Sequence, residues 1–225
     1  MIKAVFIDYT GTILQFRGKD YDEMLTRFVE HSQIKTREEA FQWYMDHLRL
    51  MERDCYGDNF LTEEEIIDKL LVKAEDEVKL REDHTIMHTL MQNFWMYAPL
   101  YSDEPEFLSV CTLPVYILMD NNSGYAKVCL RRNNLHAYGV ISGEDVRAYK
   151  PRVEIFNKAL EMAGCQPEEV IHVGDDLEGD IQGALNAGIT PVLIDRRSEH
   201  RDAKCRRVRS LIEVLPYINR ENTGK

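Results

Sequence analysis

The chain has 225 residues, 44% of them apolar, enough for one large domain or for a core carrying one insertion. Its formal charge of −11 excludes the basic surface that nucleic-acid binding needs, and obliges an anionic substrate to find a local cation. Five scattered cysteines without a CxxC pair predict reduced thiols rather than a zinc site or disulfide framework.

The first element is the apolar run Ala4-Val5-Phe6-Ile7, a buried strand that ends abruptly at Asp8. So short a run after Lys3 predicts no secretory leader, and no later run reaches membrane-spanning length. The expectation is a cytoplasmic protein with neither nucleic-acid nor membrane partners. Behind Asp8, Gly11 permits a sharp turn and close backbone approach, while Thr10 and Thr12 offer hydroxyls to an anion.

From about residue 14 to 96 the spacing is helical. Tyr21, Met24, Leu25 and Phe28 share one face; Thr36-Arg37-Glu38-Glu39 and Thr62-Glu63-Glu64-Glu65 are capping-box openings; His84 to Tyr97 is a fourth helix. Cys55 to Asn59 carries turn chemistry. Trp43, Tyr44 and Trp95 are assigned to packing inside this bundle.

Strands and helices then alternate. Val115 to Leu118 is a strand, followed by a helix to about Asn133, a short strand at Gly139 to Ser142, and a helix with Ile155, Phe156, Ala159 and Leu160 on one face, stopped by Gly164. Val170 to Val173, a helix from Leu177 to Asn186, the strand Thr190 to Ile194 and a last helix from Val208 to Val214 complete the chain. This order predicts an α/β fold, a Rossmann-like parallel sheet with an inserted all-helical domain. The core is discontinuous, residues 1–13 and 97–225, and the helical domain spans 14–96.

In a parallel sheet, Asp8, Asp120 and the pair Asp175-Asp176 all leave strands at the same carboxyl edge. Convergent carboxylates make a hard-oxygen site suited to Mg²⁺. Lys150, held outside a helix by Pro151, can supply a point charge to a phosphate or a nucleophilic carboxylate. Asp180, one helical turn beyond Asp176, can reach the same place. Asp176 fits either the metal shell or a helix N-cap. Asp120 is taken as a turn former, His172 as a core histidine, and the basic residues from Arg201 to Arg209 as a solvated tail. Arg17 and Lys19, on the linker leaving the site, are candidates for gripping the distal end of a substrate.

The set D-x-x-G-T at Asp8 to Thr12, Lys150 before Pro151, and G-D-D-x-x-x-D at Gly174 to Asp180 resembles the haloacid dehalogenase superfamily, and the helical insertion resembles its cap. The resemblance implies Asp8 as nucleophile, forming an aspartyl-phosphate that water hydrolyses. It implies Mg²⁺ on Asp8, the Thr10 carbonyl and Asp175, with Asp176 and Asp180 as outer or alternate ligands. Lys150 would neutralise Asp8 and the phosphoryl oxygens, and Thr12 would complete the phosphate cradle.

Two positions depart from the family pattern. Thr10 stands where most of its phosphatases carry a general acid, a group that typically contributes about 10²–10⁴-fold. Met119 falls where a serine or threonine is expected; Asn121, Asn122 and Ser123 are the substitutes at hand, Asn121 first. The expected activity is Mg²⁺-dependent hydrolysis of a small phosphorylated metabolite by a monomer or homodimer. The alternatives are C–halogen hydrolysis, which needs no metal; a phosphonatase using Lys19; and a non-catalytic binding protein that keeps the fold.

Overall fold

The computed structural model describes residues 1–223. Six parallel strands form one sheet in the order β3-β2-β1-β4-β5-β6: β1 (Ala4–Asp8), β2 (Val115–Met119), β3 (Gly139–Ser142), β4 (Val170–Gly174), β5 (Thr190–Ile194) and β6 (Arg206–Val208). The fold is α/β and Rossmann-like. β1, β2 and β4 are buried along their whole length, as expected of apolar strands covered on both faces. Along β1, Val5 and Ile7 enter one apolar layer, while Ala4 and Phe6 enter the opposite one. The chain departs to β2 on one side of β1 and β4 lies on the other. β1 is therefore the switch point, where parallel sheets open a crevice at their carboxyl edge.

Between β1 and β2 lie α1 (Lys19–Glu30), α2 (Arg37–Asp54), α3 (Glu63–Glu77), α4 (His84–Tyr97) and the short α5 (Glu104–Val110). Met24, Leu25 and Phe28 are the buried face of α1, and Trp43, Tyr44 and Trp95 pack as the spacing predicts. Thr62 forms a full capping box with Glu65. At Thr36 only half the box forms, because the Glu39 carboxylate accepts from the Lys35 N–H at 2.9 Å instead of from the cap residue.

The remaining helices are α6 (Ser123–Arg132), α7 (Gly143–Val146), α8 (Val153–Ala163), α9 (Gly183–Asn186) and α10 (Leu215–Thr223). The stretch expected to be helical from Leu177 begins as a π-helix, Leu177–Gln182, before α9. The expected helix from Val208 to Val214 is corrected. Val208 closes β6, a 3₁₀ turn covers Leu211–Val214, and the helix starts at Leu215. Arg206 and Arg207 are exposed on this edge strand, so no apolar alternation marked it. The five cysteines are free thiols.

Glu104, at the start of α5, is fully buried and neither of its carboxylate oxygens has a hydrogen-bond partner. Burial, aided by neighbouring Asp103, pushes this carboxyl up to about 7 from its ordinary 4.5. Between those values the unfolded chain has released the proton and the folded protein still holds it. Stability from this group is therefore complete below about pH 4.5 and is lost as pH rises toward 7, by on the order of 3 kcal/mol. Urea unfolding of Glu104→Gln and of the natural protein at pH 5 and pH 8 should show a smaller loss in the variant. Equal losses would assign the pH dependence to other acids.

Candidate active site

Asp8 is the last residue of β1 and 5% exposed. Its Oδ1 accepts from the Lys150 ammonium at 2.6 Å, and its Oδ2 is buried without a partner. The following turn is held by its own backbone, with Ile13 and Leu14 N–H groups on the Tyr9 carbonyl and the Gly11 N–H on that of Leu14. Gly11 has φ +98°, and a Cβ there would sit 2.2 Å from Asp175 Oδ2. Only glycine lets this turn lie so close to the acid. Thr12 is fully buried with Oγ1 unpartnered, and Arg196 grips its carbonyl at 2.8 Å while pairing with Asp103 at 2.9 Å.

Lys150 is buried, and a cis peptide bond joins it to Pro151. Its ammonium lies 2.6 Å from Asp8, 2.8 Å from Asp180 and 3.6 Å from Asp120. Burial works against its charge, but Asp180, Asp8 and Asp120 outweigh burial and hold the amine well above its ordinary range. Asp120 is more than a turn former: its Oδ1 also accepts from the Lys150 backbone N–H at 2.9 Å, fixing the loop that presents the lysine. Sequence spacing carried no sign of this contact across 30 residues.

Asp180 is 1% exposed and accepts from Lys150, from His172 Nε2 at 3.0 Å and from the Asp176 backbone N–H at 3.1 Å. Burial alone would raise it; the Lys150 charge and the His172 hydrogen bond prevail and keep it ionised, below the usual carboxylate range. His172 is a core histidine, edge-on to Phe156, with Nδ1 unpartnered and its pKa lowered by burial. It is neutral, and since Asp180 needs a donor the proton sits on Nε2. Gly174 belongs to the same design, because a Cβ there would overlap Asp180 at 2.2 Å.

Among the described residues, Asp8, Asp175 and Asp180 offer carboxylate oxygens within 4.8 Å of one another. Burial, then repulsion from Asp180, drives Asp8 well above its ordinary pKa; burial, Asp180 and Asp176 push Asp175 up to about 7. Two acids that resist ionising, Asp8 buried with an orphaned oxygen and Asp175 half-buried, are the environment a divalent cation relieves. The donor set therefore fits Mg²⁺, with Asp8 and Asp175 as the free oxygens and Asp180 already engaged by Lys150 and His172.

Two candidate site residues, Asp176 and Arg17, and the departing position Met119 lie off the trio. Asp176 lies outside the trio, because its Oδ1 caps the π-helix through the N–H groups of Glu178 and Gly179 and its Oδ2 pairs with Arg49 of α2. Met119 is not a loop residue: β2 continues through it and its side chain enters the core, so Asp120 is the first group to emerge beside Lys150. Arg17 lines a separate cavity with Lys19 and Arg132. Asn121 is buried at the end of β2 with Oδ1 unpartnered, and Thr10 is half-buried, bridged to Leu14.

The helical insertion closes over this edge. Arg49 meets Asp176, Tyr149 donates to the Leu61 carbonyl at 2.7 Å, and Arg147 Nε donates to that of Gly57 at 2.9 Å. Glu52 and Glu63 are both buried, and burial first, then the Asp120 charge, pushes both carboxyls well up. The capping-box position of Glu63 gave no hint that its side chain turns inward.

A buried aspartate at the switch point, a buried lysine on it and a carboxylate trio form one charged site at the sheet's carboxyl edge. The chain belongs to the haloacid dehalogenase-like hydrolases, whose family description matches residues 2–188. It is 39% identical over 56 residues, 25% of either chain, to the glyceraldehyde 3-phosphate phosphatase of Methanothermobacter thermautotrophicus. Over 50 residues it is 46% identical to the N-acylneuraminate-9-phosphatase of Homo sapiens, 22% of this chain and 20% of that one. The matched stretches span about a quarter or less of those enzymes. The L-2-haloacid dehalogenase of Xanthobacter autotrophicus shares the fold at TM-score 0.78 and 17% identity, covering 97% of this chain and 99% of that one. A magnesium-bound HAD-hydrolase, YfnB of Bacillus subtilis, does so at TM-score 0.78, 20% identity and the same coverage. No described helix is long and apolar enough to cross a membrane.

Proposed function

We propose that the protein is a Mg²⁺-dependent phosphatase acting on a small phosphorylated metabolite through an aspartyl-phosphate on Asp8, with residues 14–96 as the cap over the site. The observation that carries this reading is the unpartnered Oδ2 of Asp8, held beside Lys150 and Asp175. Lys150 orients the Asp8 carboxylate through Oδ1, and this carboxylate is the attacking group. As a carboxylate oxygen of Asp8 forms its bond to phosphorus, the bond to the leaving oxygen breaks and the leaving group departs as an oxyanion that takes its proton from solvent; water then attacks the aspartyl-phosphate, releases phosphate and restores the carboxylate. Mg²⁺, held by Asp8 and Asp175, would supply charge neutralisation between the carboxylate and the phosphoryl oxygens. Thr12 and Asn121, with buried unpartnered polar atoms, are the nearest groups in sequence to complete the phosphate cradle.

Thr10 cannot protonate a leaving alcohol, so aryl phosphates should be turned over faster than alkyl ones. The test is phosphate release from an aryl phosphate with Mg²⁺ and with EDTA, beside halide release from 2-chloropropionate. Metal-dependent phosphate release is expected. Halide release without metal would replace this reading by the dehalogenase one, and neither activity from folded protein would favour a binding role.

A further inference from the structure

A cavity of about 440 Å³ is lined by Arg17, Gly18, Lys19, Asp20, Tyr97 and Arg132. None of Asp8, Lys150 or Asp175 reaches it. Arg132 ends α6, whose first residue Ser123 follows Asn121 and Asn122 at the sheet's carboxyl edge. Ten helical residues carry Arg132 about 14 Å from that edge.

Three exposed cations, Arg17, Lys19 and Arg132, converge on this cavity in a chain of net charge −11. Among the described residues, the Arg17 and Lys19 side chains have no carboxylate partner, and the Arg132 guanidinium lies over the Tyr97 ring, 5.1 Å from its centroid. A guanidinium stacked in this way keeps its N–H edge free for an oxyanion. Asp20, the one acid on the wall, accepts from Asn93 Nδ2 at 3.2 Å.

The cavity also sits on the joint of the cap. Gly18, with φ +120°, caps the start of α1, and a Cβ there would meet Pro99 Cδ at 3.1 Å, so the strand of chain entering the helical insertion touches the one leaving it. Arg17 and Lys19 belong to the entering side, Phe94 and Tyr97 to the leaving helix, and Arg132 to the sheet-bearing core.

The geometry points to a second anion site here, taking a small, multiply charged phosphorylated molecule that bridges Arg17 and Lys19 to Arg132 and so fixes the cap joint. A ligand with two phosphoryl groups matches cations arriving from two sides. Because it ties the cap to the core, its occupancy slows opening and lowers kcat without competing for the Asp8 crevice.

Inorganic pyrophosphate is the probe. In EDTA at physiological ionic strength, titration calorimetry on the full chain should find one site, weakened about tenfold or more in Arg132→Gln and in Arg17→Gln. In the aryl phosphate assay, pyrophosphate should lower kcat of the natural protein at unchanged KM, allowing for the Mg²⁺ it chelates by holding free Mg²⁺ constant. Arg132→Gln should keep the uninhibited rate and lose the inhibition. Equal affinity in all three proteins, purely competitive inhibition, or no binding up to millimolar concentration overturns the proposal. The calorimetric arm needs no turnover, so it stands or falls separately from the phosphatase reading.

Discussion

Asp8→Asn is expected to abolish phosphate release, by at least about 10⁴-fold, while leaving thermal stability unchanged or raised. The amide cannot displace a leaving group as the carboxylate does, so the chemical step is lost. The fold tolerates the change because Lys150 keeps Asp180 at 2.8 Å and Asp120 at 3.6 Å. Burial and repulsion from Asp180 already make the charged form of Asp8 costly, and removing it relieves both. Initial rates and melting curves on the same preparation test the two halves together. Retained turnover would move the nucleophile away from Asp8. A lower melting temperature would mean that the Asp8–Lys150 pair stabilises the fold more than it strains it.

Lys150→Met should damage both properties. The lysine is the shared cation of three carboxylates, and its side chain is only 4% exposed. Withdrawing one partner from a buried ionic group leaves uncompensated charge, at a cost of about 3–5 kcal/mol. That cost depends on pH in a definite sense. Without the ammonium, the carboxyl of Asp180 is no longer held down and takes up a proton more readily as pH falls. Protonation removes the repulsion, so the difference between variant and natural protein should be largest at pH 8 and shrink toward pH 5. Urea midpoints at the two pH values measure it. A destabilisation independent of pH would show lost packing rather than lost charge. Turnover should fall with Lys150→Met at every pH, since Asp8 loses the contact that orients it.

The architecture was legible because it is written in local pattern. Apolar runs such as Ala4 to Ile7 and Val170 to Val173 can only be strands buried on both faces, and their polar ends mark one edge of a parallel sheet. Helical periodicity in α1 and the Thr62 capping box likewise need no partner to be recognised. Where local pattern was weak, the reading failed. β6 is three residues, two of them exposed arginines, held in place by β5 and not by its own propensity.

Sequence by itself determined which residues could meet at the candidate site: Asp8 and Asp175 follow from strand ends on a common edge, Asp180 from a helical turn beyond Asp176, and Lys150 from its place before Pro151. Tertiary structure alone decided what each of them does with its neighbours. It turned Asp176 to Arg49, 127 residues away, made Asp120 the anchor of Lys150, drew Met119 into the core and set Arg17 on another face. Backbone periodicity is a property of neighbouring residues, whereas the direction of a side chain at a loop is chosen by the charges and packing that distant segments bring to it.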